Sequence, residues 1–506
     1  VPDTASDLRR RLAVAIPALA LALLTLGGAT EKVADVDVGW VVAAGRVILA
    51  EGAAPVRNGL SFTAPDHPWI MHEWLLGPVY ALGFRALGAA FFGLVGVASS
   101  AAIGWLVLSR TFRVLRSPLV ASVWSTLLFV FSFDRLRSAR PIGISLVLAC
   151  FFVVLAFRPR LGPRAIAACV GLELLWTNVH GSFPLGLVVL ALAAVDSEDK
   201  RGHLFALGGA AAATLLNPYG PRLFGLVASY ASGTGEATSL VQRRVLEFSP
   251  IWRAGYHDVV DPIEIVIVVG IAVLAVFVLR GRTGRGAAAL ALLLCTAALL
   301  QARNVALAAL PGGLALLPDA ARLFEQRGGA PREREGRTRP VLLVAPAVAL
   351  AIVGLVWTAR TRPADEWFDP SMGGASFARL ARRLPDGARV FVPFRSGGLL
   401  LLLAAERGVT TFYDSRNDCY PSSIAGAALA LKDGELPPEG LSTLLERHGT
   451  THAIVPAEQY VRAAELDPRW AALAVIEPAL RPTWRTVATD GGWVLLEAPP
   501  ERRGPS

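Results

Sequence analysis

The chain has 506 residues, of which 54% are hydrophobic and only 18% charged, with a net charge of +9. Soluble domains carry about 25% charged residues, and here the deficit falls in repeated apolar runs near the length that crosses a hydrocarbon core of roughly 30 Å. An ordinary soluble protein is excluded. So is a nucleic-acid binder, because the basic residues sit in short loops between apolar runs, where they set membrane orientation.

The first apolar run, residues 12–28, follows Arg9, Arg10 and Arg11. It is longer than most signal-peptide cores and no small-x-small site follows at once, so it reads as a retained first span. Further runs lie near 88–109, 117–133, 141–157, 165–179, 183–195, 203–216, 263–279, 287–302, 305–317 and 341–358. That makes about eleven spans on the length criterion. Arg-rich loops alternate with Arg-poor ones, which puts the N-terminus in the cytoplasm by the positive-inside rule. Only Arg135, Arg137 and Arg140 disturb the pattern. Segments 29–87 and 217–262 and everything after 358 then share the outer face. The four cysteines, Cys150, Cys169, Cys295 and Cys419, show neither CxxC nor metal spacing, so no disulfide framework or metal cage is expected.

Within 29–87, residues 36–50 can form an amphipathic helix, with Val38, Val41, Val42, Val47 and Ile48 spaced to lie on the membrane surface. Pro55 to Pro68 is turn-rich, and a second amphipathic helix is expected from Trp69 to Leu87. The loop 217–262 lacks low complexity, which favours ordered structure. After about Arg360 the composition becomes that of a soluble domain. Strand-like runs at Val390–Pro393, Thr410–Tyr413, Ala453–Pro456, Trp484–Val487 and Trp493–Leu496 alternate with helical patterns at 375–384, 397–406, 421–431 and 439–448. The expected architecture is a polytopic α-helical domain over 1–358 followed by an extracytoplasmic α/β domain over 359–506.

Several groups could carry chemistry at the outer face. Asp35 and Asp37 stand just beyond the first span, between it and the amphipathic helix. A carboxylate there can act as general base on an acceptor hydroxyl or amine. Two carboxylates can alternatively hold a divalent ion, Mg or Mn, beside a phosphate. His72 and Glu73 are not a zinc-protease motif, because Leu76 occupies the second His position. Glu73 could be a further acid, or a cap for the following helix. Arg140 and Arg303 sit on the face that the charge rule disfavours, where the guanidinium fork suits an anionic phosphate. Asn178 and His180 lie in a polar turn that could donate hydrogen bonds to a headgroup or simply end two helices. Glu173 falls clearly inside a span, where acids are costly. A lone one makes no proton relay, which weakens a transport reading. Asp414 and Arg416 emerge at the carboxyl end of a strand, a usual ligand position in α/β sheets, or form a structural pair.

Together these residues resemble the GT-C-type membrane glycosyltransferases, and more closely a bacterial branch of that superfamily. The motifs are Asp35 to Trp40 as D-x-D-x-W, Gly45 to Leu49 as G-R-x-I-L, Ser61-Phe62-Thr63, and Trp69 to Leu75 as W-x-x-H-E-W-L. Arg140-Pro141, the turn Asn178 to Gly181, Leu216 to Gly220 and Asp414-Ser415-Arg416 also match. Departures are Val41, where a His commonly stands, and Asn58, where an Asp commonly stands. The Gly397-Gly398 turn and Asp414 strand also look like the outer domain of single-chain oligosaccharyltransferases. The Trp-Trp-Asp motif of those enzymes is replaced by Pro393-Phe394-Arg395, so sequon glycosylation is not implied.

The resemblance implies an inverting glycosyltransferase of the bacterial plasma membrane. A polyprenyl-phosphate sugar would be the donor and a glycan, lipid or protein the acceptor, with Asp37 as base, helped by Asp35 or Glu73. Arg140 and Arg303 would hold the phosphate, and no nucleic-acid partner is expected. The alternative is a non-catalytic envelope scaffold or glycan-binding membrane protein; a lipid or solute transporter would need a polar through-path that these spans hardly offer.

Overall fold

The computed structural model describes residues 4–115, 117–130, 135–136, 138–234, 236–253, 262–281, 284–326, 340–416, 418–433, 435, 438–458, 473 and 475–500. Arg137 and part of the loop 217–262 lie outside them. The chain divides into two compact units. The first holds Val1–Glu31, Phe92–Pro221 and Val245–Arg360, and the second Lys32–Phe91, Arg222–Arg244 and Thr361–Ser506. The last segment of the first unit ends at Arg360. Most of the first outer loop, however, gathers with the C-terminal segment into one unit.

The first unit is helical. Every expected span carries a helix, from α1 (Thr4–Thr30) to Pro340–Thr361. Four of these helices are long and apolar enough to cross a membrane by length and composition: Leu12–Thr30, Ala90–Val114, Ala302–Leu323 and Val344–Thr361. Leu12, Ile16, Leu19 and Leu23 are exposed at helical spacing along α1, as are Val266, Val269, Val273 and Val276 on Pro262–Arg280. Apolar stripes of this kind are costly in water and suit a hydrocarbon surround. The chain is a multi-pass membrane protein. The helix beginning at Val305 passes through a π-turn at Ala308–Gly312, which contains Pro311. Proline cannot donate the usual helical hydrogen bond, and the wider turn absorbs its ring.

The second unit is built on a five-stranded sheet, β1 (Arg389–Phe391), β2 (Thr410–Thr411), β3 (His452–Pro456), β4 (Arg485–Asp490) and β5 (Trp493–Glu497), in the order β2-β1-β3-β5-β4. Strands β2, β1 and β3 run parallel, and β5 and β4 are antiparallel additions. The helix Gly397–Ala404 makes the crossover from β1 to β2. The Ser61-Phe62-Thr63 motif extends this sheet: Ser61 bridges Thr411 in parallel, and the Ser61 and Thr63 hydroxyls donate to the Phe412 carbonyl. It is an edge element more than a free turn.

Two expectations for the first outer loop change. Helix α2 (Val38–Glu51) forms where expected, but Val38, Val41, Val42 and Ile48 are buried inside this unit. They pack toward α3 (Leu76–Leu87) and the Gly397–Ala404 helix, so the stripe covers protein in place of a membrane surface. Each such side chain contributes about 1.5–3 kcal/mol by leaving water. The second amphipathic helix begins only at Leu76. Residues 69–75 are instead held in turns, with the Trp69 amide bonded to the Val56 carbonyl at 3.0 Å and the Asn58 amide to His67 at 3.0 Å.

Glycine sets how closely these elements approach. A Cβ on Gly39 would stand 1.9 Å from the Gly398 carbonyl oxygen, and one on Gly398 would stand 2.0 Å from the Val36 carbonyl oxygen. Both contacts are backbone and cannot yield by a rotamer change. Gly398→Ala should therefore cost about 1–3 kcal/mol of stability, read as a lower melting temperature of the detergent-solubilised protein. An unchanged melting temperature would show that the two segments separate without penalty.

Candidate active site

In the second unit, Asp37 stands at the N-cap of α2, yet its side chain makes no cap hydrogen bond. The Trp40 indole Nε1–H donates to Asp37 Oδ1 at 3.2 Å, and the Ser415 hydroxyl lies 2.7 Å from the same oxygen. The x-x spacing in D-x-x-W lays the indole over the preceding turn, as helical geometry requires. Ser415 Oγ is also 3.2 Å from the Val36 carbonyl, but the shorter, charge-assisted bond to the carboxylate is the stronger one. Asp35 Oδ1 accepts the Asp37 amide at 2.7 Å, so the first acid shapes the turn that presents the second.

Ser415 is held from both sides. Arg416 makes a two-pronged pair with Asp414, Nε to Oδ1 at 2.9 Å and Nη2 to Oδ2 at 2.6 Å. The Arg416 amide also donates to Asp414 Oδ1 at 2.9 Å, and the Tyr420 hydroxyl donates to Oδ2 at 2.9 Å. Both side chains are buried. The Arg416 guanidinium covers the Trp69 ring at 4.6 Å, and Trp69 meets Trp40 edge-on at 6.1 Å. Buried in this way, Asp414 and Arg416 are spent on one another and on the turn. Asn58 is fully buried and donates to the Cys419 carbonyl at 2.9 Å, tying the first loop to the same turn.

A second group of acids lies nearby in this unit. Glu73 is buried; its Oε1 is 3.3 Å from His72 Nε2, while its Oε2 has no hydrogen-bond donor among the described residues. Asp418 Oδ2 is buried and likewise without a donor. Burial raises the Asp418 carboxyl above its usual range, with His72 opposing and Glu73 adding to the rise. Burial and then Asp35 and Glu73 raise the Tyr80 phenol above its usual range. Buried carboxylate oxygens without donors are what a hard divalent cation satisfies. Glu73 Oε2 and Asp418 Oδ2 are oxygens of this kind among the described residues, with His72 Nε2 beside Glu73. Asp37, already engaged by Trp40 and Ser415, fits less well.

In the first unit, Asn178 closes the helix Pro163–Val179 and donates to the Leu174 and Leu216 carbonyls at 2.8 and 3.0 Å. His180 Nδ1 accepts the Ser182 amide at 3.2 Å and faces the Ser182 hydroxyl at 2.9 Å. An amide can only donate, so the neutral ring carries its proton on Nε2. Arg140 Nη1 is 3.3 Å from Glu247 Oε2, and the Arg303 guanidinium lies 4.6 Å over the Phe248 ring. Burial alone would raise the Glu247 carboxyl, but Arg140, Arg303 and Arg135 together bring it down to about 2. Arg135, which looked like an exception to the charge rule, belongs to this cluster; burial and then Arg140 lower its guanidinium. Glu173 is buried within its helix, both oxygens without donors among the described residues, against Gly186 of the next helix.

Sequence reading missed Ser415, Asp418, Arg135 and Glu247 as contributors. Ser415 was within reach as the centre of the D-S-R motif. Glu247 has no local signal, because only the fold brings it to Arg140 from 107 residues away.

No family model matches the sequence, and no curated protein matches it. Among solved structures, the chain is similar to the oligosaccharyltransferase AglB of Archaeoglobus fulgidus in complex with an inhibitory peptide and a dolichol-phosphate. The identity is 13%, the TM-score 0.50, and the match covers 93% of this chain and 72% of that one. It is also similar to ArnT of Cupriavidus metallidurans in the apo state, at 14% identity and TM-score 0.50, over 99% of this chain and 100% of that one. The chain has the GT-C fold that both share.

The Asp414–Arg416 pair gives a direct test of the turn. Arg416→Met leaves a buried carboxylate uncompensated and should cost about 3–5 kcal/mol. Adding Asp414→Asn to that variant should recover part of the loss in a thermal melt. Equal melting of the single and double variants would show that the pair does not carry the turn.

Proposed function

We propose that this protein is an inverting glycosyltransferase that moves a sugar from a polyprenyl-phosphate donor to an acceptor outside the cytoplasm. The observation that carries this reading is Asp37, a carboxylate at a helix N-terminus whose orientation is fixed by Trp40 and Ser415, in a chain with the GT-C fold. AglB, of that fold, has been solved with dolichol-phosphate bound, which supports a lipid phosphate as the donor's carrier. The protein would lie in a bacterial plasma membrane, N-terminus inside and the sheet-bearing unit outside.

In the reaction, Asp37 takes the proton from the acceptor hydroxyl or amine as that atom attacks the anomeric carbon. The bond from that carbon to the phosphate oxygen breaks on the opposite side, and polyprenyl phosphate leaves with the electron pair. Attack opposite the leaving group inverts the anomeric centre. Arg140 and Arg303 hold the phosphate, with Arg135 adding charge. His180 and Asn178 belong to the donor side, His180 as an Nε2–H donor. Asp35 shapes the Asp37 turn, and Asp414 and Arg416 act by positioning Ser415. Glu73 and Asp418, with His72 beside Glu73, are the groups that would hold a divalent cation, which would supply positive charge to the reaction.

Asp37→Asn preserves the shape and the Ser415 contact but cannot accept a proton. It should lower sugar transfer by about 10²–10⁴-fold, measured in membranes with a panel of labelled polyprenyl-phosphate sugars while the melting temperature holds. Undiminished transfer would remove Asp37 as the base and favour the scaffold reading. Treatment with EDTA should lower transfer and Mg or Mn should restore it; transfer indifferent to EDTA would leave Glu73 and Asp418 without a catalytic cation.

A further inference from the structure

The arginine cluster of the first unit contains its own anion. Residues 245–253 are fastened to the end of the helix Arg285–Leu300 and to the turn beyond it. The Ile251 amide donates to Leu299 at 3.1 Å and the Ala302 amide to Ser249 at 3.2 Å. Arg253 Nη1 braces the segment on the Ser249 hydroxyl at 3.1 Å. This brings Glu247 against Arg140 at 3.3 Å, and Phe248 beneath the Arg303 guanidinium at 4.6 Å. Three guanidinium groups, Arg135, Arg140 and Arg303, all act on Glu247, and Glu264 acts on Arg135 from the neighbouring helix. Even with both carboxylates counted, the cluster keeps positive charge in excess.

The inference rests on the reading above that these arginines hold the lipid phosphate. A sugar-phosphate-lipid donor is a phosphodiester with one negative charge. The lipid monophosphate released is a monoester, whose second ionisation lies near pH 6. A purely cationic seat would hold that product more tightly than the substrate and retard the next turnover. We infer that Glu247 is a resident counter-anion of this cluster, which weakens its hold on the lipid monophosphate and so sets the rate at which product leaves. Glu247 remains ionised at every ordinary assay pH, because the surrounding guanidinium groups keep its carboxyl near 2 in spite of burial. Its effect is therefore constant and not a pH switch.

The test is Glu247→Gln in the full-length protein in nanodiscs, titrated with a long-chain polyprenyl monophosphate. Removing one charge from a partly buried seat should tighten binding by about tenfold and steepen its dependence on salt. In turnover, KM for the donor and kcat should both fall. Glu247→Asp, which withdraws the carboxylate by one methylene, should move the same way by a smaller factor, and it carries the test if the Gln variant does not accumulate. If wild type binds the lipid and the variants bind it equally or more weakly, Glu247 merely holds the arginines and the inference is wrong. If neither wild type nor the variants bind it, the lipid-phosphate reading itself falls, and this inference with it.

Discussion

The bond between the Ser415 hydroxyl and the Asp37 carboxylate joins two segments 378 residues apart in sequence, and the second unit is organised so that it can form. On one side, Asp35 turns the chain so that Asp37 heads α2, and Trp40 fixes the carboxylate from within the helix. On the other, Asp414 and Arg416 close a turn with Ser415 at its centre. The paired glycines Gly39 and Gly398 let the two backbones approach without side chains between them. A charge-assisted bond of this kind contributes about 1.5–3 kcal/mol. Its larger consequence is geometric, because a carboxylate held by two donors keeps one orientation.

The buried Asp414–Arg416 pair shows why a motif can matter without touching a substrate. The pair is desolvated, and desolvation offsets much of its Coulomb gain. What remains is specificity of shape: the Arg416 amide and side chain and the Tyr420 hydroxyl all converge on one carboxylate. The guanidinium then lies flat on Trp69, which meets Trp40, which bonds Asp37. A continuous packed path therefore runs from the D-S-R turn to the carboxylate of the D-x-D motif. Residues from both ends of the sequence build one turn-and-helix assembly.

Much of the architecture was legible in the sequence because its signals are local. Apolar run length located the helices of the first unit, and alternation of strand and helix patterns located every strand of the sheet. The errors have a common cause. The α2 stripe of Val38, Val41, Val42 and Ile48 has the periodicity of a membrane-surface helix, but periodicity states only that one face is covered and not by what. Residues 69–75 have helical composition, yet backbone bonds to Val56 and the turns around them win over propensity. The acids of the site were legible as residue types at an interface. Their partners were not, since Ser415, Asp418 and Glu247 reach their positions only through long-range packing.

The two units also divide the charge. The second gathers carboxylates, Asp35, Asp37, Glu73 and Asp418, and holds Asp35 and Asp37 with neutral donors, an indole, a hydroxyl and a backbone amide. The first gathers guanidinium groups, Arg135, Arg140 and Arg303, around a single short segment. Glycosyl transfer from a lipid phosphate needs both kinds of site, a base that accepts a proton and a cation that accepts a departing oxyanion. If one pocket contained both without screening, they would form ion pairs and cancel. Neutral donors avoid that for Asp37, because they orient the carboxylate while leaving its charge in place. On the proposed reading, Glu247 makes the complementary concession among the arginines: it would give up part of their attraction for phosphate so that the cluster could release the lipid monophosphate.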